Sequence, residues 1–494
     1  MLQLTGQDAA MFQLETAAVK THFTVVTIYD QSTVKGGKLG FQEILSYFDK
    51  VMAGLPIFRR KVCGVPFNLD APYLVDDPDF HIESHIKHIA LPAPKDWRQF
   101  CILCAQIQAT PIDNSKPMWD MHVIEGLDNC DDLPKGCFAI LTRMQHSLAD
   151  GDTVRGLLAA LHQPAGVSYE PPANYEAQPE PSLLTMSRRA MVNNFKQGWK
   201  TEASFLRKVP MLGKSLGKLA VNRIESLFED AEIDEQVAVP KTLFNGPMEY
   251  RRVFQARAFD LDAIKGMRVL AENSTVNDVV LTLVGGALRR YLESQNAPPS
   301  DHLFAMCPVN MREDKFSNSS SFGNNISLMR ACMFTEESDP AVRMKLVAEE
   351  TRESKKIQRA NSTKEMLAIS ENIPNVLVAA GARALLPFAL SKFESRPIAN
   401  AVVSNVPGPQ QPLYFLGAEM LIFTGVGPLV PGMGLLVAST SYNGRLTIGV
   451  SACPSWVSDP QQLAQCLQES FDELCAASLA RRQQATTGRA KAKS

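Results

Sequence analysis

The chain has 494 residues, 45% hydrophobic and 21% charged, with 50 Lys and Arg against 52 Asp and Glu for a formal net charge of -2. That balance excludes disordered, collagen-like and coiled-coil classes, and a chain this long buries enough core to fold without disulfides or a structural metal. Near-neutral charge supplies no long-range pull on nucleic acid, so no nucleic-acid partner is expected.

The opening "MLQLTGQDAAMFQLE" has no basic segment followed by an apolar stretch, so no cleaved secretory signal is expected. Ten cysteines are scattered, with Cys63, Cys307 and Cys332 far from any neighbour. They read as reduced thiols of a cytoplasmic protein rather than a disulfide framework. Residues 1–165 mix strand-like runs such as "FTVVTIYD" with helical stretches such as "FQEILSYFDKVM", the pattern of an α/β or α+β domain. Within them, "HIESHIKH" and "CILC" bring His81, His85 and His88 near Cys101 and Cys104 in sequence. A strand would divide these histidines between two faces, and the cysteines lack a second pair at finger spacing, so no zinc site is expected.

The segment "CFAILTRMQHSLADGDTVRGLLAALHQ" carries the most chemistry. Cys137 to Met144 reads as a strand, and Val154, Leu157, Leu158 and Leu161 form one face of a helix capped by Asp152 or Thr153. His146 falls in the connection between them. Its imidazole can accept a proton near neutral pH, and the positive end of the following helix favours the neutral form. Asp150 is a candidate for orienting the loop or holding an arginine, and Gly151 permits a tight bend. A loop histidine also fits a purely structural role, and local chemistry leaves both readings open.

Beyond Leu161, five prolines between Pro164 and Pro181 mark an extended connection. From Met186 to Arg223 follow nine basic residues against the one acid Glu202, with Met191, Phe195 and Trp199 on one apolar face and Leu212, Leu216 and Leu219 or Ala220 on another, divided by Pro210. Such a surface suits anionic lipid, and it equally suits linker helices packed on the domains with their charges solvated. The second half offers a helix from Val276 to Tyr291 with cap chemistry at Asn273, Ser274 and Thr275. Strands "AVVSNVP", "MLIFTG", "GLLVASTSY" and "LTIGVSA" follow, then a helix opened by Asp459 and Pro460. The uncharged stretch Met420–Gly444 has too many Gly and Pro breakers for a membrane span and reads as two buried strands joined by a turn. The terminal "ARRQQATTGRAKAKS", with five positive charges and no acid, reads as a disordered tail. The expected division is therefore residues 1–165, a connection at 166–245, a second domain at 246–480 and a tail at 481–494. Neither a nucleotide-phosphate loop nor a G-x-S-x-G elbow occurs.

Taken together, "QHSLADG" resembles the His-His-x-x-x-Asp-Gly signature of the CoA-dependent acyltransferases, which include chloramphenicol and carnitine acetyltransferases and peptide-synthetase condensation domains. Around it stand "LTGQDAAMFQLE", "HIKHIALPAP", "KPMWDMHVIEGL", "FNGP" before "RRVF", "NDVVLTLVGGALRRYL", "PVNMR", "FGNNIS" and "SNVPGP". Their order is similar to that of bacterial wax ester synthase/diacylglycerol acyltransferases. The resemblance, from residue 4 to about residue 475, implies a mixed α/β fold of two chloramphenicol-acetyltransferase-like domains with an active-site channel between them.

By that resemblance His146, the second histidine of the signature, is the general base, while Gln145 replaces the first and bears on rate, loop geometry or substrate range. Asp150 and Gly151 support the turn. Pro117 and Trp119 fit a Pro-Leu-Trp motif with Met118 in place of leucine, making Trp119 a candidate for an acyl path or for core. Asn277 and Asp278 match an Asn-Asp pair; Asn277 is a candidate channel residue, although helix capping explains the pair as well. Asn405, Pro407 and Gly408 are expected to shape a crossover between domains, and Glu15 matches an acidic position with no evident chemical task. The implied reaction is transfer of a fatty acyl group from acyl-CoA, a substrate, to diacylglycerol or a long-chain alcohol, with no cofactor or metal required. The protein is expected to be cytoplasmic and peripherally attached to the inner membrane or lipid droplets. A condensation-type enzyme using carrier-bound acyl chains and, because of Gln145, a non-catalytic lipid-binding homologue are the alternatives.

Overall fold

The computed structural model describes residues 2–4, 6–13, 15–16, 18–66, 70–148, 151–163, 178–179, 181–193, 239–310, 326–360 and 397–491. Its strands are β1 (Leu2–Gln3), β2 (His22–Asp30), β3 (Arg60–Cys63), β4 (Tyr73–Asp76), β5 (Ile86–Ala90), β6 (Trp119–Leu127), β7 (Cys137–Gln145) and β8 (Val253–Asp260). The second half adds β9 (Phe304–Asn310), β10 (Ile326–Cys332), β11 (Ala401–Pro407), β12 (Tyr414–Phe415), β13 (Ala418–Val426), β14 (Leu435–Tyr442) and β15 (Arg445–Ala452). The helices used below are α1 (Gly6–Gln13), α2 (Phe41–Ala53), α3 (Trp97–Ala109), α4 (Gly151–Leu161), α5 (183–193), α6 (Val276–Ser294), α7 (Pro340–Ala360) and α8 (Pro460–Lys491).

Two six-stranded mixed sheets form the frame, ordered β12-β13-β2-β7-β6-β5 and β10-β9-β11-β14-β15-β8, beside a small sheet β1-β4-β3. β7 is buried along its whole length because both faces of its sheet are covered. Val25, Tyr29, Phe138, Ile140 and Met144 pack under α2 and α4, while Val26, Ile28, Ala139 and Leu141 pack under α3. The second core joins its sheet to α6, α7 and α8. α3 also touches the other half: Trp97 Nε1 donates to Gln255 Oε1 at 2.7 Å on β8, and Phe254 and Ala256 of β8 complete its apolar cluster.

Local rules account for the helix ends. Thr275 caps α6 through a reciprocal box, its hydroxyl accepting from Asp278 N at 3.3 Å while Asp278 Oδ2 accepts from Thr275 N at 2.7 Å. Asp459 Oδ1 accepts from the Gln461 and Gln462 N–H groups, each at 3.0 Å, at the start of α8.

Two expectations are corrected. α4 opens at Gly151, so Asp152 and Thr153 lie inside its first turn instead of capping it. The basic tail is helical through Lys491, since Ala, Arg and Gln propagate a helix that is already nucleated and docked on the core. β12 and β13, although they come late in the chain, belong to the first sheet, with β13 antiparallel to β2. Asn405, Pro407 and Gly408 lie where the chain leaves β11 of the second sheet for β12 of the first. The Gly408 N–H donates to Ser441 O at 2.8 Å, and a side chain there would collide with that same oxygen. The two strands read in Met420–Gly444 therefore lie in different sheets.

The basic connection is described only at α5. Phe195, Trp199, Lys196, Lys200, Pro210 and the Leu212–Ala220 face lie outside the described residues. No helix among the described residues is long and apolar enough to cross a membrane.

Candidate active site

The register of β2 and β7 places His22 opposite Gln145, so the start of one strand lies beside the end of the other. Successive side chains alternate faces. His22, Thr24, Arg143 and Gln145 accordingly share the face under α3, whose Gln108 Nε2 and Oε1 bind His22 O at 2.8 Å and the Thr24 hydroxyl at 2.5 Å.

His146 follows directly, in the turn between β7 and α4. Its backbone N–H is shared between Thr21 O at 3.1 Å and Gln145 Oε1 at 2.8 Å. Its half-buried ring meets Phe23 edge-on, with centroids 5.4 Å apart. Gln145, only 1% exposed, bridges the turn and the N-terminal segment: its Nε2 donates to Glu15 Oε2 at 2.6 Å, and the same carboxylate accepts from the Thr21 hydroxyl at 3.2 Å. Gln145 N donates to Met118 O at 3.0 Å, and Leu148 N to Gln145 O at 2.9 Å. The turn is thus anchored to Thr21, Glu15 and Met118 and closed on itself by the Leu148–Gln145 bond.

One step back on β7, the fully buried Arg143 forms a two-pronged ion pair with Asp120 of β6, Nε to Oδ1 at 2.7 Å and Nη2 to Oδ2 at 2.5 Å. Its Nη1 donates to Ile107 O and Thr110 O at the end of α3, each at 2.6 Å. Burial pushes the Asp120 carboxyl up, but the Arg143 guanidinium outweighs it and holds the group below the usual carboxylate range. Burial lowers both His22 and His122 to about 4, so these two histidines stay neutral beside the ion pair.

Of the eight histidines in the chain, His22, His85, His122 and His162 are buried. His85 Nδ1 donates to Trp119 O at 2.7 Å, and His162 Nε2 lies 2.8 Å from the Tyr29 hydroxyl. His81 is exposed, His88 stacks on Phe41 and pairs with Glu125, and His302 lies on the second half 3.8 Å from Glu336. His146 alone of the eight stands half-buried in a strand-to-helix turn.

The other sequence candidates fall into place unequally. Asp150 lies outside the described residues, and Gly151 opens α4. Trp119 is core: it is 1% exposed, its Nε1 donates to Phe58 O at 2.7 Å, and it stacks on His85. The motif around it reaches the turn through the Met118 carbonyl instead. Asn277 is half-buried in the first turn of α6, whereas Asp278 serves the helix cap and accepts from the Thr351 hydroxyl at 2.8 Å. Asn405 Oδ1 accepts from Ser439 Oγ at 3.0 Å on the crossover.

His81, His85 and His88 have separate partners or surroundings, and Cys101 and Cys104 lie in the core on α3 with their thiols pushed up by burial. Among the described residues Asp301, His302 and Glu336 bring ligand atoms within 4.8 Å of one another at the surface of the second half. Sequence reasoning missed the work of Glu15, Thr21 and the Asp120–Arg143 pair. For Glu15 the acidic position in the opening segment was the available signal, and its partner is 130 residues away.

Comparison with known proteins places this turn in a family context. Residues 4–280 match the wax ester synthase/diacylglycerol acyltransferase catalytic domain, and residues 322–475 match the WS/DGAT C-terminal domain. A Mycobacterium tuberculosis protein bearing the name diacylglycerol O-acyltransferase is 28% identical over 96% of this chain and 90% of its own. The O-acyltransferase WSD of Acinetobacter baylyi is 29% identical over 82% of this chain and 84% of its own. Among solved structures, the wax ester synthase/diacylglycerol acyltransferase of Marinobacter aquaeolei VT8 superposes with a TM-score of 0.68 at 22% identity, covering 97% of this chain and all of that one. A trichothecene 15-O-acetyltransferase of Fusarium sporotrichioides gives 0.57 at 12% identity, covering 96% and 94%. Both structures share the fold.

Proposed function

This chain belongs to the wax ester synthase/diacylglycerol acyltransferase family, and on that premise we propose that it transfers a fatty acyl group from acyl-CoA to diacylglycerol or a long-chain alcohol, giving triacylglycerol or a wax ester. The observation that carries this reading is His146, held in the turn after β7 by Thr21 O and Gln145 Oε1 within the part of the chain that matches the catalytic domain. The imidazole takes the proton of the acceptor hydroxyl as that oxygen attacks the thioester carbonyl. The C–O bond forms, the tetrahedral intermediate collapses with cleavage of the C–S bond, and the imidazolium returns its proton to the departing thiolate. A channel between the two halves would bring the acyl chain and acceptor to this turn. Purified protein given one acyl-CoA with hexadecanol and diacylglycerol in competition should yield free CoA and ester in equal amounts, and the product ratio assigns the acceptor. Absence of ester with both acceptors refutes the assignment and favours a lipid-binding homologue.

Acceptors of this kind dissolve poorly in water, so the enzyme must meet them at a lipid surface, and α5 is suited to that task. One side of α5 is tied down: Met186 and Ala190 are buried, and Asn193 Nδ2 donates to Gln3, Asp70 and Tyr73 at 3.1–3.2 Å. Away from that side Leu184, Met191 and Val192 are exposed, with Arg188 and Arg189 beside them, and Leu183 is exposed at the start of the helix. Met191 therefore faces outward. An apolar strip flanked by cations fits peripheral insertion into an anionic membrane or droplet surface, each basic residue adding about 1 kcal/mol there. Vesicle flotation of the full chain should weaken about 30-fold on anionic vesicles for Arg188→Gln/Arg189→Gln. Leu184→Asp should weaken flotation on neutral and anionic vesicles alike. Unchanged flotation of both variants would return α5 to the role of a packed linker.

A further inference from the structure

We propose that Glu15 is a positioning residue for His146, acting through the side-chain amide of Gln145, and that this glutamine holds the base in place independently of pH. The proposal rests on His146 being the base and extends that reading to how the base is aimed.

The argument begins with what each group can donate. A carboxylate only accepts hydrogen bonds and a backbone N–H only donates. A side chain bridging the two must present a donor at one end and an acceptor at the other. Gln145 does so, with Nε2 on Glu15 Oε2 at 2.6 Å and Oε1 on His146 N at 2.8 Å. The neighbouring contacts allow one orientation of the amide, because the flipped form would set Oε1 against the carboxylate and NH2 against the N–H. Glu15 also holds the Thr21 hydroxyl at 3.2 Å, and Thr21 O is the second acceptor for His146 N at 3.1 Å. Both contacts that fix the backbone of the base therefore lead back to one carboxylate on the segment after α1.

The same logic says why a histidine at position 145 would behave differently. A neutral imidazole offers one donor and one acceptor, but a carboxylate beside it favours the protonated ring, which has two donors and cannot accept from His146 N. Glutamine keeps the needed polarity at every pH. The departure from the family signature thus reads as an alternative way of bracing the turn.

Charge inversion along this bridge tests the proposal in the full-length protein. Gln145→Glu sets two carboxylates against each other and should lower kcat about 10- to 100-fold, as expected for a misplaced catalytic group, with KM for acyl-CoA unchanged within about 2-fold. Glu15→Gln/Gln145→Glu restores a donor facing an acceptor and should recover kcat to within about 3-fold of the parent. Gln145→His should be active at high pH and add an acid limb to the kcat profile that the parent lacks, as the new ring takes up a proton beside Glu15. Circular dichroism and the thermal midpoint report whether each variant is folded. Should Gln145→Glu fail to fold, recovery of fold and turnover in the double variant supports the bridge, and the Gln145→His profile decides independently. Parent-like kcat in folded Gln145→Glu, a folded double variant no faster than that single variant, or a Gln145→His profile identical to the parent's would overturn it. His146→Ala separates the two levels: if it turns over normally, the base assignment itself falls; if it is inactive while the swap fails, only the Glu15 coupling falls.

Discussion

His146→Ala lowers ester formation about 100- to 10,000-fold while the protein stays folded, because a positioned base contributes that much to a proton transfer. The two properties separate because of how the turn is built. Its anchors run through the backbone N–H of His146, the Gln145 amide and the Met118 carbonyl, none of which needs the imidazole. The ring contributes an edge contact with Phe23, and its loss leaves the β2–β7 ladder intact. Release of free CoA, followed with a thiol reagent at saturating acyl-CoA and acceptor, gives the rate; near-ultraviolet circular dichroism and the thermal midpoint give the fold. Parent-like turnover in a folded His146→Ala protein removes His146 from the mechanism.

Asp120→Asn should be among the most destabilising changes in the first half, costing about 3–5 kcal/mol in denaturant unfolding, since it leaves the guanidinium of Arg143 buried without a counter-charge. Arg143 is 1% exposed, and its two remaining acceptors are the Ile107 and Thr110 carbonyls at the end of α3. A neutral amide at position 120 can still accept one hydrogen bond but balances no charge. The contrasting case is Asp128→Asn, which removes an exposed partner of Lys95 and should cost less than about 1 kcal/mol. Equal losses in the two variants would show that the buried pair adds nothing beyond surface charge. Arg143 is two residues ahead of Gln145 on β7, so Asp120→Asn is also expected to reduce turnover through the mouth of that strand.

Much of this was readable from residues alone, for identifiable reasons. β7 reads as a continuous, mostly apolar run and α4 follows one clear helical period, so the elements flanking His146 were legible with the turn between them, and α6 was legible from its cap and apolar stripe. Local pattern names an element but not its neighbour. "MLIFTG" reads as a strand, yet nothing in its six letters says that it pairs with β2 nearly 400 residues earlier. The Glu15–Gln145 bridge and the Asp120–Arg143 pair were hidden for the same reason, since each depends on sheet register. Trp119 shows the converse limit. An indole beside β7 is equally compatible with a substrate path and with a core, and only its enclosure and its bond to Phe58 O decide for the core. The basic C-terminal residues had a composition typical of disorder, but they extend a helix whose earlier turns are docked.

The placement of β13 beside β2 has a consequence for synthesis and for dissection of the chain. As the polypeptide leaves the ribosome, the first half can assemble β2, β7, β6 and β5, but the open edge of β2 waits until residues 418–426 have emerged. During that interval it offers unpaired N–H and C=O groups beside an uncovered apolar surface, the kind of edge that recruits strands from other chains. A protein cut near residue 245 would carry His146 and most of the matched catalytic domain and yet retain that open edge permanently. The two halves are thus one cooperative object, and co-expressed fragments would have to exchange a strand before either sheet is complete.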